Sequence, residues 1–473
     1  MTISVHTMAA TGALVLCLAT PARAADLLFG ADLSFANEMD DCGVVYRENE
    51  KPADLYALFK EHGANVARIR IWTDGNPTKY SNLADVIRSF KRAKAENLQT
   101  LLDFHYSDWW ADGGKQIIPK AWANIKDQNK LAQVLYRYTY DTLMALDRAG
   151  VMPDMVQPGN EINHEILDQG RWKTGAINWK RNALLLNAAI KAIRDAGRKA
   201  GTHPKVMIQI AQPENNLPWY EAAAKAGVTD FDMIGISYYP KWSTDSFNGL
   251  GRTINLLRNR YPGKEVLVVE TAYPWTVSGS GAASALAKDN VTPGYPATPE
   301  GQKNFLVDLS HVVIANGGVG VFTWAPDWVP GLCRDGTTRN TDWPSMTFFD
   351  DKGEVLPAID YMRQTYRQPV NVTFRVHGVK SAPGQVFRLW GDFYGDPDFT
   401  AFPMKLTGGT LEYTTTLMPG SFIHFQVYGD KPMEKPLLTG SSLTEGVVPE
   451  TVGNTDATFD FEMGKPVNSG EAP

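Results

Sequence analysis

A chain of 473 residues exceeds one ordinary domain, so one large domain with a smaller companion is the expectation. Its 43% apolar and 21% charged content is that of a soluble globular protein, and no segment past the N-terminus is long and apolar enough to cross a bilayer. A net charge of -6 is mild for this size and gives no electrostatic case for nucleic acid or an anionic membrane.

The N-terminus reads as a secretory signal over residues 1-24. An apolar stretch from Ala9 to Ala19 precedes Ala22-Arg23-Ala24, an A-x-A cleavage pattern. His6 is the only basic side chain ahead of it, and the stretch is too short to span a membrane. Secretion or export to the periplasm follows, with the mature chain starting near Ala25. Cys17 leaves with the signal, so Cys42 and Cys333 remain in an oxidising compartment.

From about residue 27 to 367, apolar runs of strand length alternate with helix-period segments. The predicted strands are Leu28-Ser34, Asn65-Trp72, Leu98-His105, Met155-Glu161, Lys205-Ala211, Phe231-Tyr239, Val266-Thr271 and Val319-Trp324. Helical stretches such as Leu83-Glu96, Leu131-Ala149, Ile177-Ala196 and Gly301-Ala315 lie between them. Eight repeats of this alternation predict a (β/α)8 TIM barrel over residues 25-367. An open dinucleotide-binding sheet is disfavoured, because Gly30-Ala-Asp-Leu-Ser34 after the first strand is not a phosphate-binding glycine turn. Cys42 and Cys333 fall in the loops after the first and eighth strands, which are neighbours in a closed barrel, so the geometry allows a disulfide between them, with two free thiols as the alternative.

After Tyr366 the composition shifts. Val372-His377, Gln385-Gly391, Leu411-Leu417 and Phe422-Tyr428 are β-branched and aromatic, separated by Pro383-Gly384 and Pro419-Gly420 turns. They predict a small all-β, sandwich-like C-terminal module over 368-430. Residues 431-473 are rich in Gly, Ser, Thr, Pro and Glu and read as a disordered tail.

The ends of the predicted barrel strands carry the chemistry. They bear Asp32, Arg70, Trp72, Asp103, His105, Tyr106, Asn160, Glu161, Tyr238, Tyr239, Glu270 and Trp324, more polar and aromatic side chains than core packing would put there. Glu161 closes Asp154-Met-Val-Gln-Pro-Gly-Asn-Glu161, and Glu270 closes Glu265-Val-Leu-Val-Val-Glu270. Alone, either glutamate could be a solvated or salt-bridged side chain. Together, on strands four and seven, they suit a nucleophile and an acid/base across one glycosidic bond, with carboxyls roughly 5 Å apart in a retaining enzyme. The acid needs a raised pKa, and a cation such as Arg70 would keep the nucleophile ionised. His105 could equally be structural. Neither H-E-x-x-H nor a cysteine cluster occurs and the eight histidines are scattered, so no metal or other cofactor is expected. Thirteen tryptophans could pack the core or stack on sugars. Trp390 and Tyr394, around Trp390-Gly-Asp-Phe393 of the β module, are read the same way: core rings or a sugar platform.

Several blocks also carry a resemblance. Gly30-Ala-Asp32, Ile69-Arg-Ile-Trp72, Leu102-Asp-Phe-His-Tyr-Ser-Asp-Trp109 with Lys115-Gln116, Gly159-Asn-Glu161, Gly235-Ile-Ser-Tyr-Tyr-Pro240 and Val269-Glu-Thr-Ala-Tyr-Pro-Trp275 resemble glycoside hydrolase family 53, over about residues 28 to 360. The resemblance implies an arabinogalactan endo-β-1,4-galactanase, with Glu161 as acid/base and Glu270 as nucleophile. It implies Asn160 on the sugar 2-OH, Arg70, His105 and Tyr238 around the nucleophile, and Trp324 as a subsite floor. Asp32, Asp108, Trp109 and Trp275 complete the candidate substrate-binding set. The chain departs from the family pattern at Trp324-Ala325-Pro326, where Trp-Glu-Pro is usual, at Pro158 and at Gln209, where a histidine is usual. Some relatives bind calcium after strand seven; here Val277-Tyr295 holds Asp289 as its only acidic residue, so no ion is expected.

The reading is a secreted, monomeric, endo-acting hydrolase whose partner is the polysaccharide β-1,4-galactan. The same carboxylates would serve β-1,4-mannan, xylan or glucan. A barrel that only binds glycans would need a lost carboxylate or a blocked cleft.

Overall fold

The computed structural model describes residues 27–168, 176–278, 282–329, 343–381, 384–391, 400–419, 422–429, 448–453 and 455–463. The signal segment, Cys17, Cys333 and Tyr394 lie outside the described residues. Eight parallel strands close into a barrel: β1 (Leu28–Asp32), β2 (Val66–Ile71), β3 (Gln99–Phe104), β4 (Met155–Pro158), β5 (Lys205–Ala211), β6 (Met233–Ser237), β7 (Glu265–Glu270) and β8 (Gly320–Trp324). Their spatial order is β1-β8-β7-β6-β5-β4-β3-β2, so every strand has two neighbours and none is left as an edge. All eight predicted strands are present, most of them trimmed by a residue or two. Strand β4 stops three residues early, because Gly159 turns the chain with a φ of 107°. A Cβ there would meet Ile162 Cγ2 at 2.5 Å, so only glycine fits.

The helices between strands include α1 (Ala36–Asp41), α2 (Leu55–Glu61), α3 (Leu83–Ala95), α4 (Gln128–Arg148), α5 (Trp179–Ala200), α6 (Pro213–Lys225), α7 (Phe247–Arg260), α8 (Ala282–Asn290) and α9 (Pro299–Ala315). Their starts are coded locally. Asn82, Asp127, Asn178 and Thr298 each accept a backbone N–H of the first turn, replacing one orphan bond of the helix end. Helix α3 buries Val86, Phe90 and Ala93, spaced three and four apart, against the barrel's outer wall.

Strand alternation sorts the barrel into two cores. Outward residues such as Ala67, Ile69, Val156, Ile208, Ile234 and Val268 pack under the helices. Inward residues near the strand starts, Leu28, Val66, Leu101, Met155, Met207, Met233, Leu267, Val269 and Phe322, fill the lumen. Gly235 makes room in that lumen. A Cβ on it would come within 2.8 Å of Val269 Cγ1 and 3.0 Å of Met207 Sδ. Gly235→Ala is therefore expected to destabilise the barrel by about 1–3 kcal/mol through overpacking. A urea unfolding midpoint unchanged from wild type would contradict this.

The C-terminal strands are β9 (Val370–His377), β10 (Phe387–Gly391), β11 (Thr400–Thr407), β12 (Thr410–Leu417), β13 (Phe422–Tyr428), β14 (Val448–Thr451) and β15 (Ala457–Glu462). They form one sheet in the order β14-β13-β10-β11-β12-β9-β15. Its own core includes Val372, Phe374, Leu389, Phe402, Leu411, Tyr413, Phe425 and Val427. Reading residues 431-473 as disordered needs correction, since β14 and β15 fall within them. Strand β15 runs parallel to β9, and Phe459 and Phe461 pack on the module core. The module sits against α7, where Tyr413 Oη donates to Asn255 Oδ1 at 2.5 Å and Arg258 Nη1 donates to Thr416 Oγ1 at 3.2 Å. Among the described residues, no helix is long and apolar enough to cross a membrane.

Candidate active site

Above the apolar lumen, the inward positions of the strands become polar. Arg68 occupies the centre. Its Nη1 lies 2.7 Å from Asp32 Oδ2, and its Nη2 lies 2.9 Å from Asp103 Oδ2 and 2.7 Å from Glu270 Oε1. Nη2 also donates to Asn160 Oδ1 at 2.8 Å. The contact with Glu270 has ion-pair distance without hydrogen-bond angle, so Oε1 keeps no donor of its own. One guanidinium thus draws together the ends of β1, β2, β3 and β7.

Glu270 reaches this level through an irregularity. Ile236 pairs with Val268 but Ser237 pairs with Glu270, leaving Val269 as an extra residue in β7. Such a bulge resets the alternation and turns the next side chain. Here Val269 fills the lumen and Glu270 still faces the mouth.

Glu161 arrives by a strained turn. It holds a φ of 45°, and Tyr106, Gln212 and Ala325, also just past strand ends, hold 49°, 59° and 49°. Non-glycine residues in this region cost energy and cluster where function demands a particular backbone path. The turn is clamped by the Glu161 N–H donating to Gln209 Oε1 at 3.1 Å, and by Gln116 Nε2 donating to the Asn160 and Glu161 carbonyls at 2.8 and 3.2 Å.

Both glutamates line one cavity of about 460 Å3 at the barrel mouth. Its wall includes His105, Asn160, Tyr239 and the rings of Trp110, Trp242, Trp324 and Trp343. Trp324 meets Trp343 edge-on at 4.7 Å, and Trp242 is 45% exposed, leaving its indole open to a ligand. Indole faces beside polar donors are suited to sugars, which present apolar C–H faces and hydroxyl rims.

The two carboxyls differ electrostatically. Glu161 is pushed up to about 8, first by burial and then by the charge of Glu270. Its stabilising contacts are neutral, the Ser237 hydroxyl and the Gly113 N–H at 3.1 Å. Burial pushes Glu270 up as well, but Arg68 and then Gln209 pull it back. The proton therefore settles on Glu161 and the charge on Glu270. Tyr239 Oη donates to Glu270 Oε2 at 3.3 Å, and burial pushes this phenol far up, so it stays a donor. His105 Nδ1 accepts from Trp72 Nε1 and the Ala111 N–H, both at 3.2 Å, which fixes the proton on Nε2, 3.2 Å from Asp103. Among the described residues, no group of three or more His, Cys, Asp or Glu side chains could hold a metal ion.

Of the sequence-derived candidates, Glu161, Glu270, His105, Asn160 and Trp324 meet at the cavity, with Asp32 directly beneath through Arg68. Others need correction. Arg70 does not approach Glu270. Its guanidinium lies over Phe35, Trp72 and Trp110 at 4.1, 4.8 and 4.5 Å, and the cation on Glu270 is Arg68. Tyr238 Oη donates to the Asp245 carbonyl at 3.2 Å, and the tyrosine on Glu270 is Tyr239. Trp110, not Trp109, reaches the cavity; Trp109 packs at a tilt against Trp72, ring centroids 4.5 Å apart. Asp108 is tied to Thr73 Oγ1 at 2.5 Å and the Lys120 N–H at 2.9 Å, and Trp275 Nε1 donates to the Pro344 carbonyl at 3.2 Å; neither lines the cavity. Cys42 is disulfide-bonded, and its candidate partner Cys333 lies outside the described residues. Reading the sequence for chemistry missed Arg68, Ser237, Trp242 and Trp343, and it placed Tyr239 at a strand end and Gln209 on strand five without giving either a role at the site. Strand parity was the usable signal, because Val66, Arg68 and Arg70 alternate inward on β2.

A parallel barrel with one protonated and one ionised carboxyl in an aromatic-walled cavity at its C-terminal mouth defines a glycoside-hydrolase type of site. Residues 28–362 match the family profile described as Glycosyl hydrolase family 53. The chain belongs to that family. It is 45% identical over 366 residues to an arabinogalactan endo-beta-1,4-galactanase of Cellvibrio japonicus (strain Ueda107), covering 76% of this chain and 97% of that protein. A protein of the same name from Thermothelomyces thermophilus is 31% identical over 348 residues, covering 71% and 98%. Among solved structures, the Ignisphaera aggregans family 53 catalytic domain is similar at TM-score 0.65 and 32% identity, covering 73% of this chain and 98% of that one. The family match ends before β9, so the β module lies beyond it.

Proposed function

We propose that the chain is a secreted, endo-acting hydrolase of β-1,4-galactan, the side chain of pectin, that retains anomeric configuration. The carrying observation is the Glu161–Glu270 pair, two carboxyls in one cavity with opposite electrostatic settings. Galactan as substrate is supported by the names of the similar proteins. In the first step Glu270 attacks the anomeric carbon while Glu161 passes its proton to the leaving oxygen. In the second, Glu161, now a carboxylate, takes a proton from water, which attacks the same carbon and releases Glu270. Asn160, held by Arg68 and by its Nδ2 bond to the Ala111 carbonyl at 2.8 Å, is set to meet the sugar 2-OH. Trp324 underlies the reacting sugar.

Export is supported by the A-x-A pattern and by the disulfide at Cys42, a bond that persists in oxidising compartments. A Cys42–Cys333 pairing and a monomeric state belong to the same reading, and non-reducing peptide mapping and sedimentation test them.

The deciding experiment follows the anomer first released from β-1,4-galactan by NMR, beside mannan, xylan and glucan. A β-anomer from galactan is expected; an α-anomer, or preference for another glycan, would refute the reading. The pH profile follows from the site. Activity needs Glu161 protonated and Glu270 ionised, so kcat/KM falls as pH rises through about 8. On the acid side it falls below a limb set above the ordinary glutamate value, because burial raises Glu270. A profile flat from pH 6 to well above 9 would contradict this assignment.

A further inference from the structure

The acid/base turn is gripped from outside its own strand. Gln116, in the loop after β3, is 3% exposed, and its Nε2 donates to three backbone carbonyls: Asp112 at 2.9 Å, Asn160 at 2.8 Å and Glu161 at 3.2 Å. Carbonyls only accept, so these partners fix the nitrogen end of the amide. Gln116 is itself anchored through its main chain. Its carbonyl accepts the Asp168 N–H at 2.6 Å, and the Ile118 N–H donates to the Asp168 carbonyl at 3.1 Å. Just ahead of it the loop closes on itself, where Asp112 and Lys115 exchange N–H to carbonyl bonds at 2.9 and 3.0 Å around Gly113-Gly114. That turn aims the Gly113 N–H at Glu161 Oε2, 3.1 Å away. One loop therefore holds Glu161 by its carbonyl and by its carboxyl.

We infer that Gln116 is a positioning residue for proton transfer, acting through the backbone of Glu161 to keep its carboxyl aimed into the cavity. This rests on Glu161 being the acid/base. The turn needs an outside hold for two reasons. Glu161 sits at a φ of 45°, a conformation that a residue with a side chain keeps only where its surroundings impose it. Consecutive carbonyls also point to opposite sides along a strand, whereas those of Asn160 and Glu161 converge on one amide, whose hydrogens offset the opposition of their dipoles. Asn160 depends on Gln116 less, because its side chain is tied at both ends, Oδ1 to Arg68 Nη2 and Nδ2 to the Ala111 carbonyl, each at 2.8 Å. Loss of Gln116 is therefore felt in proton transfer before it is felt in the hold on the sugar. The titratable groups facing Glu161 are Glu270 from β7, Tyr239 past the end of β6, and Asp112 and Lys115 at the two ends of the glycine turn.

Gln116→Met keeps the length of the side chain and removes the donor. Gln116→Asn keeps a buried amide and withdraws it by one methylene, so it carries the same test at smaller amplitude should the methionine variant not fold. On galactan, kcat/KM of Gln116→Met is expected to fall about hundredfold, because an acid displaced by about 1 Å loses most of its catalysis. With a dinitrophenyl β-galactobioside, whose leaving group needs no proton, kcat/KM is expected to stay near wild type while kcat drops about tenfold, since the second step still needs a base. Azide, a nucleophile with no proton to lose, is expected to restore that kcat. An equal loss of kcat/KM on both substrates, or a lowered kcat that azide leaves unchanged, is the mark of general loosening and overturns the inference. Undiminished galactan turnover in either variant overturns it as well. Infrared difference titration of Glu161, with Glu161→Gln as the reference, needs no substrate. Its protonation point is expected to drop from about 8 in Gln116→Met, as the carboxyl leaves its burial and the charge of Glu270. A wild type that cleaves no galactan would sink the functional reading, while this titration still decides the hold of Gln116 on Glu161.

Discussion

Glu270→Gln is expected to cut hydrolysis of β-1,4-galactan by about four orders of magnitude or more while leaving galactan binding in place. The amide is isosteric with the carboxyl, so the cavity keeps its shape, but it cannot form the glycosyl ester on which the two-step route depends. The fold should tolerate the change, because Arg68 retains Asp32 and Asp103 as ionic partners. Calorimetric titration with galacto-oligosaccharides measures the binding, and reducing-end release measures the rate. Chemical rescue separates the roles. Azide added to Glu270→Gly should attack from the vacated face and give the α-galactosyl azide, whereas azide with Glu161→Gly should give the β-azide. A Glu270→Gln variant that turns over within tenfold of wild type would remove Glu270 from the reaction altogether.

Arg68→Met should be the most damaging single change to both stability and activity. It leaves Asp32, Asp103 and Glu270 buried without their shared cation, and breaking a buried ion pair from one side costs roughly 3–5 kcal/mol. The loss should depend on pH. Glu270, already raised by burial, loses the cation that pulls it back and rises further above its unfolded value. The destabilisation is then full above the raised value and fades as pH falls through it toward the unfolded one. Urea unfolding of wild type and variant at pH 8 and pH 4.5 measures it, and an equal deficit at both would refute the electrostatic cause. Arg68→Lys should recover part of the stability and little of the activity, since an ammonium cannot reach three carboxylates as a planar fork does. Arg70→Met is the control. Its guanidinium rests on aromatic rings and touches no catalytic carboxyl, so Glu270 should keep its ionisation and the acid limb of the profile should not move.

Much of the architecture was legible in the chain because barrel strands and helices announce themselves locally. Runs such as Val266-Leu-Val-Val are buried on both faces, and Asn82 or Asp127 ahead of an apolar-periodic stretch marks a helix start. The module was harder. Pro403 interrupts β11, a residue that weakens a strand reading; the structure accommodates it because the ladder to β12 covers only Lys405–Thr407. Strand β15 was hidden by the composition of the surrounding tail, although Phe459 and Phe461 already alternate two apart. At the site, the near misses were each one or two residues from the observed contact: Arg70 for Arg68, Tyr238 for Tyr239, Trp109 for Trp110. A strand period of two leaves Arg68 and Arg70 on the same inward face, and choosing between them needs the depth of Glu270 in the barrel.

The sequence by itself determined that carboxyls stand at the ends of the fourth and seventh strands, because strand length and the Gly159 turn are local properties of the chain. Only the tertiary structure decided which neighbours serve them. The bulge at Val269 and the charge balance around Arg68 are set by contacts between residues as far as about two hundred positions apart. Burial raises both carboxyls and Arg68 pulls Glu270 back, which leaves the proton on Glu161; both effects belong to the assembled cavity, and no local pattern of residues contains them.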